Sequence, residues 1–310
     1  MGALNRTPAA AVLGATGCVG RQVCSALSLR GYDVLGVARR HAPHADAHKF
    51  AAVDVAATEP ERFAEVLQAA NVRVVVNATG GWHTSEADNE YSHVRLVDRL
   101  LQTLALLPGV RLVQVGTIHE YGPVEEGRPI DEAVVPAPVT PYARTKLAGT
   151  RAILDATAAG SVDAVVLRAV NVFGPYTTRA SFLGSVVDKL REAREGSPVV
   201  LSVADARRDF VDARDLAEAV VAAAEAPATG RVVNIGSGVA TSIGALVSAL
   251  VSVAGLPPEA VELERAEVRS KGGGWTQADI RLAARLLGWR PRTCLEDSMR
   301  AMWNTAEGAC

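Results

Sequence analysis

The sequence predicts an α/β protein built on a doubly wound parallel sheet, and three observations carry that prediction. Short β-branched runs alternate with helical patterns through the first half of the chain, the rhythm of strand–helix–strand crossovers. The first run leads directly into Val12-Leu-Gly14-Ala-Thr16-Gly17-Cys18-Val19-Gly20, a glycine loop that opens a helix. A second motif, Tyr142-Ala-Arg-Thr-Lys146, stands at a later helix start just after Pro141. With 310 residues and 49% apolar composition, the chain can bury a substantial core.

Taken in order, the candidate strands are Ala10–Leu13, Val34–Ala38, Ala52–Val55, Val72–Asn77, Val110–Val115 and Ala164–Arg168. Helical spacing fills the gaps near Gly20–Leu29, Pro60–Ala70, Ala87–Leu106 and Pro141–Ala159. Right-handed crossovers then make the sheet parallel and set ligands at the carboxyl ends of its strands. After Asn171-Val-Phe-Gly-Pro175 the rhythm changes, with a helix at Phe182–Glu195 and a short strand at Val199–Val203. The helix Asp212–Ala226 and strand Arg231–Ile235 return to the sheet, and from Thr241 helices mix with one strand near Val261–Leu263. The expected organisation is two interleaved lobes. Residues 1–175 and 204–240 form the nucleotide-binding lobe, and 176–203 with 241–310 form a smaller substrate-binding lobe.

A formal net charge of -2 leaves no electrostatic footprint for nucleic acid or an anionic membrane. No run approaches the ~18 apolar residues of a membrane span. Arg6 followed by Ala9-Ala-Ala-Val-Leu13 reads as a first buried strand rather than a signal segment. A soluble cytoplasmic protein is therefore expected. The four cysteines, Cys18, Cys24, Cys294 and Cys310, show neither Cys-x-x-Cys spacing nor a disulfide framework. His41, His44 and His48 lack a Cys or carboxylate set beside them and read as a solvated loop, so no metal is expected.

In Gly14-x-x-Gly17-x-x-Gly20, glycine lets the backbone approach a pyrophosphate, and the helix N-terminus offers unbonded N–H groups. A purely structural strand-to-helix turn is the alternative. Cofactor choice is written where the second strand ends, in Val37-Ala38-Arg39-Arg40. A carboxylate there would accept from ribose hydroxyls, whereas two guanidiniums can clamp a 2′-phosphate. NADPH is the expected cofactor unless the arginines serve only the surface. Asp54-Val55 would reach the adenine amino group, and Asn77, Ala78, Thr79 and Ala169 complete the expected cofactor contacts.

Thr117, Tyr142 and Lys146 form the candidate reaction centre. An ordinary Tyr is a protonated acid at neutral pH, and a Lys at i+4 favours its phenolate and should lower its pKa. Such a Tyr can give its proton to a carbonyl oxygen as hydride reaches the carbon, with Thr117 orienting that oxygen.

With these motifs in hand, the chain resembles an extended short-chain dehydrogenase/reductase of the NAD-dependent epimerase/dehydratase type, enzymes of nucleotide sugars on a Rossmann sheet. Thr117-Ile-His-Glu-Tyr121-Gly122, Leu167-Arg-Ala-Val-Asn171-Val-Phe-Gly-Pro175, Arg208-Asp-Phe-Val-Asp-Ala-Arg-Asp215, Asn234-Ile-Gly-Ser-Gly238 and Leu287-Gly-Trp289-Arg-Pro291 extend the likeness over the whole chain. The resemblance implies Thr117, Tyr142 and Lys146 as the catalytic trio, with Lys146 also holding the nicotinamide ribose. It implies Asn171 at the sugar-nucleotide phosphates and Arg208 and Arg269 as diphosphate arginines. Arg208 has a bland alternative in pairing with Asp205 or Asp209, and Arg269 in a solvated loop. Asp212 and Asp215 read instead as helix-capping carboxylates. Trp82, His83, His119, Glu120 and Arg179 complete the expected substrate contacts. Trp82 either meets the sugar or nicotinamide or simply packs in its loop. His93 stands where relatives often carry Asn, and no role follows from that.

Departures from the family pattern narrow the chemistry. The 4,6-dehydratases follow the catalytic Thr with an Asp-Glu pair, where this chain has Ile118-His119. None of the cysteines falls in an expected substrate loop, which removes the Cys–His shuttle of epimerase-reductases. The resemblance is then greatest to bacterial 4-ketoreductases, which implies NADPH-dependent reduction of a dTDP-4-keto-6-deoxyhexose in antibiotic deoxysugar biosynthesis by a homodimer. Two alternatives stay open. A nucleotide-sugar epimerase would retain its dinucleotide, and a redox sensor would bind dinucleotide without needing Tyr142 and Lys146.

Overall fold

The computed structural model describes residues 7–81, 83, 85–194, 199–257, 261–266 and 273–307. The first apolar run forms β1 (Ala9–Leu13), buried at every residue. The chain continues through α1 (Cys18–Leu29), β2 (Asp33–Ala38), β3 (Lys49–Ala52), α2 (Pro60–Ala69) and β4 (Val72–Asn77). A longer helical stretch follows: α3 (Glu86–Glu90), one π-helical turn at Tyr91–Arg95, and α4 (Leu96–Ala105). Then come β5 (Arg111–Thr117), α5 (Pro141–Ala158), β6 (Asp163–Ala169), β7 (Asn171–Phe173), α6 (Phe182–Arg194), β8 (Val199–Ala204), β9 (Arg207–Arg208) and β10 (Phe210–Asp212). The chain ends with α7 (Ala213–Glu225), β11 (Arg231–Ile235), β12 (Thr241–Ser242), α8 (Ile243–Val253), β13 (Val261–Ala266), β14 (Trp275–Thr276), α9 (Arg281–Leu287) and α10 (Leu295–Glu307).

Seven strands build one parallel sheet in the order β3-β2-β1-β4-β5-β6-β11. This is the doubly wound Rossmann order, with its reversal between β1 and β4, where ligands of such sheets bind. The period of two along each strand divides the core. Ala10, Val12, Val74 and Val76 face α1 and α7, while Ala11, Leu13, Val75 and Leu112 face α2, α4 and α5. A third apolar cluster joins α6, β8, α8 and α10 through Leu190, Leu201, Leu250 and Trp303. Among the described residues no helix is long and apolar enough to cross a membrane.

The third strand lies at Lys49–Ala52, earlier than the expected Ala52–Val55. Its pairing stops where β2 stops, at Ala38↔Ala52. As an edge strand with both ends exposed it lacks the apolar run that marks the others. Asp54 and Val55 therefore sit in the loop just past the strand. Asp212 does cap α7, accepting from the Arg214 N–H at 2.8 Å. Asp215 is different: it accepts from the backbone N–H groups of Arg292 and Thr293, beside Trp289 whose indole donates to the Asp215 carbonyl. It ties down the last segment of the chain.

Candidate active site

The loop after β1 explains its own glycines. Gly14 has φ +78, and a Cβ on Gly20 would lie 2.0 Å from the Gly14 carbonyl oxygen, so α1 can start this close to the strand only with glycine there. Gly17 caps α1 without a side-chain hydrogen bond, leaving the first amides and the positive dipole end to an outside acceptor. From this turn a cavity of about 420 Å³ opens across the strand ends, bounded by Thr16, Arg39, Arg40, Asp54, Val55, Ala78 and Thr79. Arg39 and Arg40 are exposed along it. The Asp54 carboxylate accepts from the Tyr91 hydroxyl at 3.0 Å. A cradle with no room for a Cβ and an uncapped helix end fit the pyrophosphate of a dinucleotide.

Two expected cofactor contacts, Asn77 and Ala169, are buried. Asn77 donates to Gln114 Oε1 at 2.8 Å and accepts from the Thr79 N–H at 3.1 Å, which shapes the turn that carries Thr79. Ala169 ends β6. Cys18 and Val19 occupy the first turn of α1 with Gly20. Cys18 donates to the Pro175 carbonyl at 3.4 Å, and burial pushes its thiol up to about 11, so it stays protonated.

Thr117 ends β5, and the Pro141 start of α5, capped by Thr140, brings Tyr142 beside it. The Thr117 side chain hydrogen-bonds the Tyr142 phenol. One turn on, Lys146 is buried and donates to the Val115 carbonyl at 2.9 Å. Lys146 was expected to lower the Tyr142 pKa, but burial dominates and pushes the phenol up to about 12, against the Thr117 hydrogen bond. Burial also pulls the Lys146 ammonium down to about 8, with Glu120 acting the other way. Both groups carry their protons at neutral pH. The pair is a loaded acid beside a cation.

A second group lies at the ends of β5, β7 and β9. His119 hydrogen-bonds Asn171, and burial, helped by Arg208, pulls its imidazole down to about 4. Asn171 donates to the Asp209 carbonyl at 3.2 Å, and Arg208 donates to the Gly273 carbonyl at 2.5 Å. The Asp209 carboxylate turns instead to the N–H groups of Ser237, Gly238 and Ala278.

Three expected substrate contacts stand apart from this group. Glu120 is fully buried, accepting from the Thr117 N–H at 3.0 Å and from Arg168 Nε at 2.8 Å. It holds the β5 exit in place, and its carboxylate is closed off from ligand. Arg179 is exposed and pairs with Asp188 at 3.5 Å. His83 lines the nucleotide cavity, 3.2 Å from the Ser92 hydroxyl, rather than joining His119. Trp82 and Arg269 lie outside the described residues.

Tyr91 and Thr145 had no expected role, yet Tyr91 holds Asp54 and Thr145 lies between His93 and Tyr142. Helical spacing could have found Thr145, which shares a face of α5 with Tyr142 and Lys146.

The sheet order, the glycine cradle and the Thr117–Tyr142–Lys146 arrangement define a dinucleotide-binding Rossmann protein of the short-chain dehydrogenase/reductase type. The chain belongs to the NAD dependent epimerase/dehydratase family, whose sequence model matches residues 10–236. It is 35% identical over 304 residues to a dTDP-6-deoxy-L-talose 4-dehydrogenase (NAD(P)(+)) of Kitasatospora kifunensis, covering 96% of each chain. A GDP-6-deoxy-D-mannose reductase of Pseudomonas aeruginosa is 26% identical over 243 residues, 74% of this chain and 78% of the relative. Among solved structures, a UDP-glucose-4-epimerase from Stenotrophomonas maltophila with bound NAD superposes with a TM-score of 0.86 at 22% identity, covering 98% of both chains.

Proposed function

We propose that the chain is an NADPH-dependent 4-ketoreductase of a dTDP-4-keto-6-deoxyhexose, serving deoxysugar biosynthesis for antibiotic glycosides. The observation that carries this reading is the loaded Tyr142 acid, hydrogen-bonded to Thr117 and one turn from Lys146. A dinucleotide held by the Gly14–Gly20 cradle would supply the hydride for the sugar carbonyl carbon. Thr117 orients the carbonyl oxygen, Tyr142 gives it a proton, and Lys146 steadies the phenolate that remains. Arg208, with Arg269, grips the diphosphate, and Asn171 with the neutral His119 borders the sugar end of that grip.

Support for the substrate class comes from the 35% identical dTDP-sugar dehydrogenase, whose reaction is such a reduction run backwards. Support for NADPH comes from Arg39 and Arg40 on the cavity rim with no carboxylate at the end of β2. Ile118 stands where a dehydratase has its acid, so reduction needs no partner chemistry at neighbouring carbons. The test is NADPH oxidation against a panel of dTDP-4-keto sugars. Stoichiometric NADP⁺ release with one of them is expected. Tightly retained dinucleotide with interconversion of epimers and no net oxidation would refute the reading.

A further inference from the structure

Besides its glycine turn and its arginines, the nucleotide cavity is lined by Val37, Val53, Val55 and Leu96, and the side chains of Asp54 and Tyr91 join them. Apolar walls with one carboxylate suit a purine that presents an exocyclic amino group. Asp54 follows β3 in a backbone turn that is firmly held. Its carbonyl accepts from the Ala57 N–H at 3.1 Å, the Thr58 N–H at 2.9 Å and the Thr58 hydroxyl at 2.7 Å. Only the side-chain torsions of Asp54 are then left to set.

Tyr91 sets them. It opens the π-helical turn Tyr91–Arg95, and its hydroxyl donates to Asp54 Oδ2 at 3.0 Å. A phenol has a single proton to give, and an ionised carboxylate only accepts, so the direction of this bond is fixed. Burial and then the Asp54 carboxylate push the Tyr91 phenol up, against Arg95 and Arg39, so that proton stays in place at neutral pH. Arg95 braces the arrangement. Its guanidinium lies 5.6 Å from the Tyr91 ring centroid, and its Nε donates at 3.0 Å to the Ala56 carbonyl, two residues past Asp54. The helical turn and the loop after β3 are thus joined twice, once through the carboxylate and once through the backbone beside it.

We propose that Tyr91 is a positioning residue for base selection: its hydroxyl tethers Asp54 Oδ2, so that Oδ1 meets the 6-amino group of adenine as a preset acceptor. A purine with a 6-oxo group would set its own acceptor against that carboxylate, lone pair to lone pair. A carboxylate with loose torsions turns away from such a base at little cost. A tethered one stays and rejects it, which is how a fixed polar group separates donor from acceptor. The role concerns binding alone, and it rests on the dinucleotide lying in this cavity.

Calorimetric titration with NADP⁺ and with nicotinamide hypoxanthine dinucleotide phosphate tests this without any turnover. The wild-type chain should bind NADP⁺ about 10-fold or more tighter than the hypoxanthine analogue. Equal affinities overturn the proposal, and this measurement needs no variant to fold. Tyr91→Phe keeps the ring under Arg95 and removes only the hydroxyl. It should weaken NADP⁺ about 3- to 10-fold and change the analogue little, so the preference shrinks. Asp54→Ala should erase the preference, and adding Tyr91→Phe to it should do nothing further, because the two act as one unit. The same loss from Tyr91→Phe in both backgrounds would put the hydroxyl on the dinucleotide itself and overturn the positioning role. A full preference in Tyr91→Phe, with loss in Asp54→Ala, removes Tyr91 alone. A wild-type chain that binds neither compound removes the dinucleotide reading with it.

Discussion

Replacing Lys146 by Met should make the dinucleotide-free chain more stable while abolishing turnover. Lys146 is 7% exposed, and burial is the main cause holding its ammonium at about 8 instead of the ordinary 10.5. Between those two values the unfolded chain binds one more proton than the folded chain. Stability therefore rises with pH across that window, and the full penalty is present below about 8. At about 1.4 kcal/mol per unit, the gap amounts to roughly 3 kcal/mol at pH 7. Met keeps the long apolar stem and removes the charge. Against this, the Val115 carbonyl loses the donor at 2.9 Å, a loss of ~1 kcal/mol. The net gain is about 2 kcal/mol, which raises the melting temperature by about 3 °C given the unfolding entropy of a chain this long. Urea titrations and calorimetry of both proteins at pH 7 and near pH 10.5, without dinucleotide, provide the assay. The gain should disappear at the higher pH. A less stable Lys146→Met protein at pH 7, or an equal difference at both pH values, would refute the reasoning.

Tyr142→Phe should lower kcat by ~10²–10⁴ and leave NADPH affinity nearly intact, as expected for a lost general acid; near wild-type kcat would end that assignment. The wild-type kcat/KM should decline as pH rises through about 8, following deprotonation of Lys146 rather than of Tyr142. Replacing Arg39 and Arg40 together should raise the NADPH KM and spare that for NADH, each lost charge-assisted bond weighing ~1.5–3 kcal/mol before solvent screening. Equal use of the two dinucleotides by the wild-type enzyme would defeat this. Arg208→Ala and Arg269→Ala should each raise the KM for the sugar nucleotide without changing that for NADPH, and kcat should fall less than in Tyr142→Phe.

Much of the sheet was legible because its strands are buried on both faces and announce themselves as apolar runs. β3 escaped for the opposite reason: an edge strand with exposed ends carries no such run. The glycine loop was legible because close approach demands glycine, and the 2.0 Å clash at Gly20 shows that demand. Burial was the quantity the sequence withheld. Glu120 sits next to motif residues and resembles a substrate contact on paper, yet it is closed off with Arg168. Spacing puts Lys146 near Tyr142 and argues for a lowered phenol pKa, while desolvation pushes it up. His93 was illegible for a geometric reason, since only the π-helical turn aims it at α5.

Desolvation acts alike on Tyr142, Lys146 and His93, and each shift favours the uncharged form. Charge is therefore disfavoured along this stripe of α5, and among the described residues the Lys146 ammonium has only the Val115 carbonyl as hydrogen-bond partner. In the proposed reaction that changes when Tyr142 gives up its proton. A phenolate then forms beside the ammonium, and each charge offsets the desolvation of the other. The pocket thus favours the state after proton donation more than the state before it, and such differential stabilisation is what accelerates a reaction. The same account explains why removing Lys146 should stabilise the resting chain and stop its chemistry. An isolated buried cation is a liability in the resting state and an asset only once its anion appears.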